Sequence, residues 1–76
     1  MDPQQAWNDM LNFYRAKDPE CVREHAEALK GWLGRGGFPP DTGGGPALGD
    51  DWHRRLAGAG VAFMLEYVAV WEGDYS

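Results

Sequence analysis

The chain has 76 residues, a formal net charge of −5, 43% hydrophobic content and 13% aromatic content. A chain so short holds one small core, is too apolar for intrinsic disorder, and is too acidic for nonspecific affinity toward nucleic acid or anionic lipid. Its single cysteine, Cys21, excludes an internal disulfide framework and any multi-cysteine zinc site, and a cytoplasmic setting is the expectation.

The first residues, Met1 to Gln5, carry neither a basic stretch nor an apolar one, so no secretory leader is expected. They do carry a helix start. Asp2 is suited to the N-cap, Pro3 to the first helical position, and Gln5 to the return bond of a capping box. Ala6, Trp7, Met10, Leu11 and Tyr14 follow at helical spacing, with Phe13 widening the stripe. Asp18 and Pro19 repeat the start signal. A residue before proline disfavours the α region, so the first helix is expected over about 3–17 and the second from 19.

The second helix, predicted over 19–33, places Val22, Ala26, Leu29, Trp32 and Leu33 on one side. Glu20, Arg23, Glu27 and Lys30 on its outer side form opposite-charge pairs worth roughly 0.2–0.5 kcal/mol each. Gly34 is the expected residue just past its end. With almost no linker between them, these helices form a hairpin or angled corner.

Residues 34–50 read as a connector without helix. Ten of the sixteen positions 34–49 are glycine or proline. So long an irregular connection in a compact domain is either functional or disordered. Its first part contains Phe38, Pro39 and Pro40, expected to fold back over Trp32 and Leu33; the alternative is a short polyproline II segment presented to an aromatic groove. Residues 41–45 have no apolar anchor and are expected to form a mobile tip. Arg35-Gly36-Gly37 and Gly43-Gly44-Gly45 match fragments of RNA-binding and phosphate-binding patterns, but lack the flanking elements those functions need.

A third helix is predicted over 51–72, capped by Asp50 or Asp51. Between Leu56 and Trp71 only Glu66 is charged. Two apolar faces are legible there: Leu56, Gly60, Phe63, Tyr67 and Val70, or Ala57, Val61, Met64, Val68 and Trp71. A helix apolar on all sides is buried on more than one. The stretch is shorter than the roughly 20 apolar residues of a membrane span. A strand there would have to pair with another chain, since no second strand is evident. The expectation is therefore an all-α single domain, 1–76, with a helical hairpin and a hydrophobic C-terminal helix that self-associates, most simply as a dimer. Leu56, Gly60, Val61, Phe63, Met64, Tyr67, Val68 and Trp71 form the expected interface, and a closed three-helix monomer is the rival arrangement.

Chemistry-bearing residues are few. Cys21 and His25 lie four apart on one helix, and with His53 they make the candidate metal or thiol site. The competing account is that Cys21 packs as a small hydrophobe and His25 sits at the core edge. Asp50 and Asp51 are better explained as a helix start than as a catalytic pair. No enzyme activity and no cofactor is expected. The leading functional expectation is a small acidic non-enzymatic interaction protein (an adaptor, inhibitor or regulatory subunit) whose charge steers a basic protein partner. The alternatives are metal- or thiol-dependent activity at Cys21, His25 and His53, or a purely structural role in assembly.

Overall fold

The computed structural model describes residues 1–73, and it is all-helical. The elements are α1 (Pro3–Arg15), α2 (Pro19–Gly34), a 3₁₀ turn at Pro46–Leu48, and α3 (Asp50–Gly73). The sequence from Glu72 to Ser76 also reads as a short, acidic, frayed end, and residues 74–76 of it lie outside the described residues.

Both Asp-Pro pairs start helices. The Asp2 side chain accepts from the backbone amides of Gln4 and Gln5 at 3.0 and 3.2 Å, and Asp18 accepts from that of Cys21 at 3.2 Å. Pro3 and Pro19 take the first helical position, where a missing N–H costs nothing.

The helix ends differ from the sequence reading by one or two residues, for a shared reason. α1 stops at Arg15, not 17. Lys17 adopts a left-handed φ of 58°, and the amides of Lys17 and Asp18 donate to the carbonyls of Tyr14 and Phe13 at 3.1 and 3.0 Å. That double closure satisfies carbonyls that the last turn leaves without partners. α2 repeats it one residue beyond the expected end. Gly36, not Gly34, takes the left-handed position with φ 83°, while the amides of Gly36 and Gly37 donate to Leu33 and Trp32.

α3 starts at Asp50, one residue early. The carbonyl of Gly49 accepts from the His53 amide at 3.3 Å, and Asp50 and Asp51 lie within the first turn. Their carboxylates there oppose the positive end of the helix dipole. The helix runs unbroken through Gly58 and Gly60. Gly60 has a packing reason: a Cβ there would lie 2.6 Å from the Trp7 indole, which rests against the α3 backbone.

α2 packs against both α1 and α3. The core takes Ala6, Trp7 and Met10 from α1, Val22, Ala26 and Leu29 from α2, and Ala57, Val61, Met64 and Val68 from α3. One of the two apolar faces of α3 is therefore satisfied within the chain.

The connector is not helix-free, since Pro46–Leu48 forms a 3₁₀ turn. It crosses the end of the bundle where α1 begins, α2 ends and α3 begins. Phe38 does turn back onto Trp32, edge-on at 5.5 Å, and its carbonyl accepts from the Trp32 indole N–H at 2.7 Å. Yet Phe38 stays 61% exposed. The stronger hold is Arg54, whose guanidinium donates to the carbonyls of Leu33 and Gly37 at 3.2 and 2.9 Å. Nor are residues 41–45 without an anchor; the anchor is a histidine of α3.

Candidate functional site

His53, on the first turn of α3, is 4% exposed and holds the connector through both ring nitrogens. Nε2–H donates to the Gly45 carbonyl at 2.8 Å, while Nδ1 accepts from the Thr42 backbone amide at 3.1 Å. The Thr42 hydroxyl lies 3.0 Å from the same Nδ1. These partners require the tautomer with its proton on Nε2. One residue earlier, Asp41 pairs with Gln4 of α1. The Asp41 amide donates to Gln4 Oε1 at 2.7 Å, and Gln4 Nε2 donates to the Asp41 carbonyl at 3.2 Å. Asp41 also accepts from the Gly43 amide at 2.9 Å, a local turn typical of aspartate. The expected mobile tip is thus pinned by polar bonds from two helices.

The three candidate metal or thiol residues do not converge. His25 donates from Nδ1 to the Cys21 carbonyl at 2.8 Å and places Nε2 3.9 Å from Asp9 of α1. Its ring lies 5.2 Å from that of Phe13. His53 faces Thr42 and Gly45 instead. Among the described residues, no group of three His, Cys, Asp or Glu side chains could hold a metal ion. The Cys21 thiol is pushed up from its ordinary pKa. A hydrogen bond with the Asp18 carboxylate is the largest cause, followed by partial burial and by the charges of Asp18, Glu24 and Glu20. A nucleophilic cysteine needs the opposite shift.

The outer side of α3 is different in kind. Trp52, Leu56, Phe63 and Val70 are 47%, 40%, 52% and 64% exposed. Large apolar groups so open on one helix face mark an interaction surface more often than scattered exposed residues do. Tyr14 of α1 borders this face, with its ring edge-on to Phe63 at 5.8 Å and to Tyr67 at 5.0 Å. Two shallow clefts flank it. One, of about 330 Å³, is lined by Tyr14, Arg15, Lys17, Tyr67 and Trp71; the other, of about 300 Å³, by Phe63, Glu66, Tyr67 and Val70.

The eight residues expected at an interface are distributed unevenly. Val61, Met64 and Val68 lie in this chain's own core at 3%, 5% and 3% exposure. Gly60 meets Trp7, and Tyr67 and Trp71 are half-buried with their rings 6.2 Å apart. Leu56 and Phe63 remain open. Trp52, Val70 and Tyr14 are open or bordering residues that the expected interface omits. The signal for Trp52 and Val70 was present, because both continue the Leu56 and Phe63 line at helical spacing.

Comparisons with protein-family models, with curated proteins and with solved structures found no match to this chain. Among the described residues, no helix is long and apolar enough to cross a membrane.

Proposed function

We propose that this chain is a single-domain, non-enzymatic protein-interaction module that acts in the cytoplasm as an adaptor, inhibitor or regulatory subunit. The observation that carries the reading is the exposed line of Trp52, Leu56, Phe63 and Val70 on a helix whose opposite side is buried. Large aromatic side chains such as Trp52 and Phe63 are enriched at interfaces and commonly anchor them. The net charge of −5 would steer a basic partner toward it, raising the association rate more than the affinity.

The separation of Cys21, His25 and His53, and the raised thiol pKa, give the metal- or thiol-dependent alternative no support. The test is capture from a native host extract, with wild-type chain and Phe63→Glu compared at low and high salt. The reading expects a partner retained by wild type, lost with Phe63→Glu, and bound more weakly as salt screens the steering charge. Identical capture by both chains, with Phe63→Glu still folded, would overturn it.

A further inference from the structure

The open side of α3 carries more than exposed apolar area. Trp52, Leu56, Ala59, Phe63, Glu66 and Val70 are all exposed, and they recur at alternating steps of four and three. That spacing is a heptad seam, repeated here from the first turn almost to the end of the helix. At 1.5 Å per residue the line runs roughly 27 Å. Large residues stand at 52, 56 and 63, and smaller or charged ones at 59, 66 and 70.

The side chains themselves discriminate between the ways two such seams can meet. In a parallel pair each position meets its own copy. Phe63 would face Phe63, Ala59 would face Ala59, and Glu66 would face a like charge within an apolar seam. An antiparallel pair centred on residue 61 gives another register. Trp52 then faces Val70, Leu56 faces Glu66, and Phe63 faces Ala59, so that each bulky group meets a smaller or more flexible one. Glu66 also comes beside the partner's Arg55. Among the described residues Arg55 holds a surface pair with Asp51 at 3.1 Å, both groups 80% exposed. Such pairs are weak, and the guanidinium is free to turn.

We propose that the occupant of this face is a second copy of the chain, docked α3 against α3 in antiparallel orientation, with reciprocal Arg55–Glu66 pairs setting the register. This inference rests on reading the outer face of α3 as a docking surface; it assigns that surface to a second copy, so a basic protein steered to the acidic chain would bind there in competition with the copy. A charged residue at one seam position commonly selects register and orientation at some cost in affinity. Tyr14, beside Phe63, would extend the contact onto α1 of each copy. Val61, Met64 and Val68 take no part, since they are already buried.

The experiment is sedimentation equilibrium of the full chain across micromolar concentrations, with four variants. Wild type should reach a mass twice 8.5 kDa. Phe63→Glu should be monomeric and folded. Arg55→Glu and Glu66→Arg should each weaken the dimer by about tenfold or more, because each places like charges against one another. The double variant Arg55→Glu with Glu66→Arg should recover most of the loss. In a parallel pair it cannot, because the new guanidinium at position 66 would face its own copy. A wild-type chain that remains monomeric throughout would overturn the proposal, while the docking reading would stand if Phe63→Glu still abolished capture of another protein. A dimer insensitive to Phe63→Glu, or single-variant losses that the double variant does not rescue, would also overturn it.

Discussion

The two sides of α3 have similar composition and opposite fates. Ala57, Val61, Met64 and Val68 are buried against α1 and α2, while Leu56, Phe63 and Val70, farther around the same helix, face outward. Hydropathy separates them only at Glu66, which lies on the outer side. Shape separates the rest: the inner side carries side chains that fill the gap left by Trp7, Met10 and Leu29, and Gly60 at its margin admits the Trp7 ring. The outer side has Ala59 exposed between Leu56 and Phe63, whose large side chains stay open. An apolar helix face is thus core or docking surface according to what the rest of a small chain can place against it.

Substitutions should act on stability at one side and on association at the other. The largest effect is expected from Val61→Glu, which buries a charge without a partner and should cost about 4 kcal/mol or more, unfolding most of the chain. Circular dichroism showing a folded Val61→Glu chain would refute the assignment of the inner face. Met64→Ala should lose about 2–5 kcal/mol in denaturant unfolding, the range for a buried truncation that leaves a cavity.

Gly60→Ala tests the margin between the two sides. The added Cβ gains up to about 1 kcal/mol of helix propensity, but collides with a buried indole at a cost of about 1–3 kcal/mol. A net loss of thermal stability is therefore expected, and a gain would mean that Trp7 does not lie against α3.

His53→Ala should cost about 1–3 kcal/mol, because the Thr42 amide and Gly45 carbonyl lose their partner. Amide exchange at Thr42 should accelerate, while that of the inner-face residues changes only with global stability. Phe63→Glu on the outer side should change unfolding free energy least, by about 0.5–1 kcal/mol for the lost edge contact with Tyr14. Cys21 lies on neither side and offers a reference. Its raised thiol pKa means that the folded state disfavours the thiolate. The associated stability is present below the unfolded thiol's pKa and lost as pH rises through the folded value. Alkylation of the native chain at mildly alkaline pH should accordingly be slower than that of the denatured chain.

Much of the fold was legible from short-range signals. Each Asp-Pro pair starts a helix because capping and the pre-proline restriction act within a few residues. The ends were less legible. Gly34 looked like the stop of α2, but the left-handed position fell to Gly36, and at Lys17 it fell to a residue with no glycine signal. Closure of the last turn depends on which carbonyls the following chain can reach, and that path is tertiary.

The connector and the outer face show the same boundary. Glycine and proline density said that residues 34–49 would not be regular helix or strand, apart from the short turn at Pro46–Leu48. It could not say that Gln4, thirty-seven residues away from Asp41, would grip it, or that His53 and Arg54 would tie its two halves. His53 drew attention as a metal ligand because histidine chemistry is visible in a sequence, whereas its neighbours are not.

Three α-helices, the starts of the first two, and two apolar faces on the third were legible in the chain, since periodicity and capping are local. Which face closes the core and which stays open is settled by packing between helices. That choice depends on the volumes presented by α1 and α2, and no local signal encodes the shape of a distant surface.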